Sequence, residues 1–80
     1  MEYSVGQIVK AKAGRDKDGF FIIKELDGKY AYIVNGKRRK LENPKKKKLI
    51  HLAPTLTVVQ DVRTNREVIR ILSQYQDKSL

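Results

Sequence analysis

From Phe20 the chain reads Phe20-Phe21-Ile22-Ile23-Lys24-Glu25-Leu26-Asp27-Gly28-Lys29-Tyr30-Ala31-Tyr32-Ile33-Val34-Asn35-Gly36. Two runs rich in aromatic and β-branched residues, Phe20 to Leu26 and Tyr30 to Val34, are followed by Asp27-Gly28 and Asn35-Gly36. Each dipeptide supplies the positive φ angles of a two-residue hairpin turn. The spacing predicts a three-stranded antiparallel meander with Lys37 to Leu41 as its third strand. Two-residue turns fix register, so Ile22 is expected opposite Ile33, Ile23 opposite Tyr32, Tyr32 opposite Arg39 and Ile33 opposite Arg38. One sheet face then carries Phe21, Ile23, Tyr30, Tyr32 and Arg39, and the other Phe20, Ile22, Ala31, Ile33 and Arg38. Apolar groups on both faces fit a small, strongly curved barrel better than a flat sheet wetted on one side. The pattern leaves open which face is interior.

Outward from this meander, Gly6 to Ala13 alternates Lys10 and Lys12 with Val9, Ala11 and Ala13, as a half-exposed strand does. The polar loop Gly14-Arg15-Asp16-Lys17-Asp18-Gly19 follows it, and Gly14, Gly19, Gly28 and Gly36 are read as turn glycines. Asn43-Pro44 ends the meander, because proline cannot donate to a central ladder and disfavours helix before it. The lysines after it read as a solvated turn, and Leu49-Ile50-His51-Leu52 as a last short strand ended by Pro54. Thr64-Asn65-Arg66-Glu67 fits a capping box, and Val68, Ile71, Leu72 and Tyr75 follow at helical spacing. A helix over about 64–76 is predicted, with Thr57 to Gln60 ambiguous between strand and helix lead-in. There is no internal repeat.

Eighty residues make one domain, which on size scaling buries only about 60–65% of its unfolded surface. There is no cysteine, so disulfides and thiolate metal sites are excluded, which suits a reducing compartment. The longest unbroken apolar run is Phe20 to Ile23, and no signal peptide or membrane span is readable. A cytoplasmic protein with no membrane partner is expected. Charge is concentrated: Lys37, Arg38, Arg39, Lys40, Lys45, Lys46, Lys47 and Lys48, opposed only by Glu42, carry +7 of the formal +9. So dense a patch repels itself unless a polyanion neutralises it, which points to nucleic acid.

The expected contacts are Lys12, Arg15, Lys17, Lys37, Arg38, Arg39, Lys40, Lys45, Lys46, Lys47, Lys48 and His51. Arg38 and Arg39 would grip phosphates in bidentate fashion, and the lysines would act as point charges. The bland reading of the basic block is a solvated run that aids solubility. Asp16 or Asp18 would cap backbone amides in their loop. Tyr30 and Tyr32 would stack on unpaired bases, against the alternative of core tyrosines whose hydroxyls reach water. His51 is the sole histidine, and alone it builds neither a metal site nor a triad. The apolar stripe of the helix would pack on the barrel, with a docking face for a protein as its rival. Catalysis finds no support: no nucleophile has a spaced base, and Gly14-x-x-x-x-Gly19 is followed by Phe20 where a phosphate-binding loop needs Lys. No cofactor, metal or small-molecule substrate is implied.

Gly6-Gln7-Ile8-Val9, the loop Gly14 to Gly19 and the apolar strand after it resemble the KOW motif of ribosomal proteins and transcription elongation factors. The stretch from Asn35 through Lys45-Lys46-Lys47-Lys48-Leu49-Ile50-His51-Leu52-Ala53-Pro54-Thr55 is similar to the end of the barrel in the archaeal and eukaryotic L-fourteen-e ribosomal protein group. The chain also resembles the short, free-standing KOW-domain RNA-binding proteins of Gram-positive bacteria. The resemblance spans residues 4–55 and implies an all-β, SH3-like barrel of about five strands, with residues 56–80 forming a C-terminal segment and its helix in the same domain. It also implies that Gly14 is the first-loop glycine of the motif. The function it implies is non-catalytic binding of RNA by a monomer, with ribosomal RNA of the large subunit, or ribosome assembly and quality control, as the setting and ribosomal proteins as potential neighbours. The alternatives are a DNA- or transcription-complex-binding KOW module and an SH3-like protein-interaction module.

Overall fold

The structure is a computed structural model that describes residues 3–78. Strands β1 (Gln7–Ala11), β2 (Phe20–Asp27), β3 (Tyr30–Val34), β4 (Lys45–Lys48) and β5 (Leu52–Val58) form one antiparallel sheet in the order β4-β3-β2-β1-β5. Helix α1 (Asn65–Lys78) follows. This is the barrel-like, five-strand, one-helix class expected from the sequence. No helix among the described residues is long and apolar enough to cross a membrane.

Both faces of the sheet are apolar, and the structure gives each a different cover. Val9, Ala11, Phe21, Ile23, Ala31, Ile33 and Leu52 cluster on the concave side, where the strands curl round them. On the opposite face, Ile8, Ile22 and Val34 are covered by Val68 and Leu72 of α1. Phe20 meets Tyr75 edge-on at 5.5 Å between ring centroids. The expected packing of the helix stripe on the barrel is therefore what is found, and it removes the apolar outer face that a curved sheet alone would leave wet.

The register differs from expectation. Asp27 pairs with Tyr30, so the hairpin turn is Gly28-Lys29, with Gly28 at φ +59° in the first central position and not the second. A bulge at Lys24 then shifts the ladder, leaving Ile23 opposite Ile33 and Ile22 opposite Val34. One inserted residue is what allows Ile23 and Leu26 to face the same interior across an odd spacing. Phe21 and Ile23 consequently share their face with Ala31 and Ile33, while Tyr30 and Tyr32 lie on the outer face.

The third strand of the meander is not Lys37 to Leu41. Asn35 Oδ1 accepts the Lys37 and Arg39 amides, and the Asn35 and Gly36 amides donate to the Arg39 carbonyl, which curls the chain into a loop. The strand partner of β3 is the lysine run itself, with Tyr30 opposite Lys48, Ala31 opposite Lys47, Tyr32 opposite Lys46 and Ile33 opposite Lys45. Leu49 to His51 form a 3-10 turn where a strand was expected, and β5 begins at Leu52 and runs through Pro54 to Val58. Pro54 is tolerated because β5 is an edge strand that bulges between its pairings with Val9 and Gln7.

The helix start follows the sequence closely. Thr64 Oγ1 accepts the Glu67 amide at 3.1 Å, and Glu67 Oε1 accepts the Thr64 amide at 3.1 Å. Asn65 ties this helix end to the basic loop: its Oδ1 accepts the Leu41 amide at 2.8 Å, and its Nδ2 donates to Glu42 Oε1 at 2.6 Å. The carboxyl of Glu67 is held below its ordinary value by the Arg63 amide and then the Thr64 hydroxyl, and that of Glu42 by the Asn65 amide group. Folded values lowered in this way add stability that is fully present above the ordinary carboxylate range, near pH 4.5, and is lost as pH falls through the lowered values. On acidification below that point the protection of the Leu41, Thr64 and Glu67 amides, taken relative to the intrinsic exchange rate at each pH, should fall before that of the core strands; a uniform fall would refute the local coupling.

Gly36 is packed against the same helix end. It has φ +80°, and a β-carbon there would stand 2.5 Å from the Asn65 carbonyl oxygen and 2.8 Å from Ile69 Cγ1. Gly36→Ala combines left-handed strain with a backbone clash, so urea denaturation should show a loss of more than about 2 kcal/mol. A loss below about 0.5 kcal/mol would contradict this packing.

Candidate nucleic-acid interface

The expected basic residues fall into two chemically different sets. Lys12, Arg15, Lys17, Lys37, Arg38, Lys40, Lys45, Lys46 and Lys48 are exposed. Arg39 and Lys47 point inward and are structural. Arg39 Nη2 pairs with Asp16 Oδ2 at 3.1 Å, with the two side chains only 23% and 5% exposed. Lys47, 9% exposed, donates from Nζ to the Ala13 carbonyl at 2.7 Å. It passes beside Gly14, whose φ of +79° is a left-handed conformation that favours glycine and where a β-carbon would lie 3.0 Å from the mobile ammonium.

These two contacts pin β4 and loop 35–44 to the loop between β1 and β2. Strand β4 is an edge of the sheet, and Lys47 and Arg39 fasten its end of the molecule to the loop between β1 and β2. The bidentate phosphate grip expected of Arg39 is thus replaced by an internal ion pair, and Asp16 belongs to that pair and not to a simple turn cap. The functional gain is placement: loop 12–19, with Lys12, Arg15 and Lys17, is held against loop 35–44, with Lys37, Arg38 and Lys40. Two basic segments far apart in sequence are thereby brought side by side.

Strand alternation sorts the lysine run. Lys45 and Lys47 share the face of Ile33 and Ala31, whereas Lys46 and Lys48 share the outer face of Tyr32 and Tyr30. Lys46 Nζ lies 4.5 Å from the Tyr30 ring centroid, a cation–π contact that holds an aromatic surface beside exposed ammonium groups. Both tyrosines are half-buried on the outside of the sheet, so they are not core residues. His51 is half-buried in the 3-10 turn, where its carbonyl accepts the Lys12 amide at 2.8 Å.

Sequence reasoning did not single out Lys29, Leu49 or Ile50. They and Tyr3 border an open groove beside Tyr30 and Lys48, of about 770 Å³. The signal available was an apolar pair, Leu49-Ile50, directly after four lysines; in the structure Ile50 is 74% exposed. The pairing of the Leu49 amide with the Lys29 carbonyl at 2.8 Å and of Tyr30 with Lys48 across β3 and β4 brings its partners together. No protein-family model matches the chain, and no curated protein matches it.

Proposed function

We propose that this chain is a non-catalytic, KOW-type RNA-binding protein that holds structured RNA on the surface formed by loop 12–19, loop 35–44 and β4. The observation that carries the reading is the concentration of nine exposed Lys and Arg side chains on three segments that Arg39–Asp16 and Lys47–Ala13 tie together. A rigid cationic surface attracts a phosphodiester chain without the ordering entropy that a flexible basic tail must lose. Arg38 is the bidentate phosphate ligand in this reading, and the exposed lysines supply less directed attraction. The resemblance to ribosomal KOW proteins supports RNA over DNA and ribosomal RNA of the large subunit as the target class. Tyr30 and Tyr32, outside the barrel beside Lys46 and Lys48, favour RNA with unpaired bases over a uniform duplex.

The test is a direct competition between fragments of large-subunit ribosomal RNA and duplex DNA at equal phosphate and about 150 mM salt. The RNA should win by at least tenfold; DNA binding as tightly would end the ribosomal reading. An SH3-like protein-interaction role draws on a separate observation, Leu56, fully exposed in the β5 bulge beside Val58. That role predicts partner binding that survives reversal of the exposed β4 lysines Lys45, Lys46 and Lys48.

A further inference from the structure

Resting on the RNA-binding reading, we propose that the groove between the β2–β3 turn and the 3-10 turn takes one unpaired nucleotide, its base against Tyr30 and its flanking phosphates on Lys29 and Lys48. The groove has an apolar floor, from Tyr3, Tyr30, Leu49 and Ile50, and lysines at its rim. That combination complements a nucleotide, which has an aromatic base with apolar faces and an anion on either side. An acidic peptide would use the lysines but leave the aromatic floor unmatched.

The walls are set before any ligand arrives. Tyr3 donates from its hydroxyl to the Leu52 and Leu49 carbonyls at 3.0 and 3.3 Å, which fixes the ring at the barrel's open end. The Leu49 amide pairs with the Lys29 carbonyl, locking the two turns that form the groove to each other. Lys46 lies over the Tyr30 ring, within side-chain reach of the phosphate next to a base held there. Ile50 borders the groove and is 74% exposed, which leaves its apolar side chain open to a base. Pre-set walls of this kind keep the ordering cost of capture low.

The experiment compares a short oligoadenylate with a blunt RNA duplex carrying the same number of phosphates, each titrated against the full chain and its variants. Tyr30→Leu should weaken the oligoadenylate about tenfold and the duplex less than about twofold, with the salt slope unchanged. Ile50→Ser, a substitution at an exposed position that the fold tolerates, should show the same selectivity at smaller size, and Tyr30→Phe should retain binding. Equal loss on both RNAs, or loss on neither, while the parent chain binds both in a salt-dependent way, would overturn the groove and leave the broader reading standing. A parent chain that binds neither RNA would overturn both.

Discussion

Lys47→Glu should lower the melting temperature by about 15–30 °C, whereas Lys45→Glu, two residues away on the same strand, should leave it within about 2 °C. The two lysines look alike in the sequence, but Lys47 is buried and bonded to the Ala13 carbonyl while Lys45 is exposed. A carboxylate in place of the buried ammonium would face a carbonyl oxygen with no proton to share, and an uncompensated buried charge costs about 3–5 kcal/mol. Small domains of this size lose roughly 4–8 °C per kcal/mol. At Lys45 the substitution only relieves like-charge repulsion along β4. Equal melting temperatures for the two variants, read by circular dichroism, would refute the Lys47–Ala13 latch.

Reversing two exposed charges, Arg38→Glu with Lys45→Glu, should weaken RNA binding about a hundredfold at about 0.15 M salt with the fold intact. Each neutralised phosphate on single-stranded RNA contributes about fourfold under those conditions, so removing two contacts costs about fifteenfold and placing carboxylates there multiplies the loss. The matched control is Arg66→Glu with Arg70→Glu on exposed positions of α1, which changes net charge by the same amount at the helix. That variant should lose less than about threefold. Similar losses in the two variants would mean that total charge, and not the latched surface, governs binding.

The capping box, the helix stripe and the apolar strands β2 and β3 were legible because each is a local pattern. Thr64 and Glu67 are three residues apart, and the aromatic and β-branched runs Phe20 to Ile23 and Tyr30 to Val34 need no distant partner to be recognised. Strand β4 was not legible, since four consecutive lysines have low strand propensity and repel one another. It forms because Tyr30 to Ile33 offers a ladder, Lys47 reaches Ala13 and Lys46 settles over Tyr30, all of them long-range contacts. The Lys24 bulge was equally hidden, because a single inserted residue leaves no periodic trace yet moves both tyrosines to the outer face. The basic block itself was plain, but the withdrawal of Arg39 and Lys47 from its surface depends on Asp16 and Ala13 in a different loop.

The gathering of cations into one phosphate-matching surface is tested most directly by measuring RNA affinity against potassium chloride concentration for the parent chain and for Arg38→Glu with Lys45→Glu. About five phosphate contacts predict a slope of log affinity on log salt near −3.5 for the parent, flattening to about −2 in the variant. A parent slope near zero, or one that the variant shares, would contradict the account.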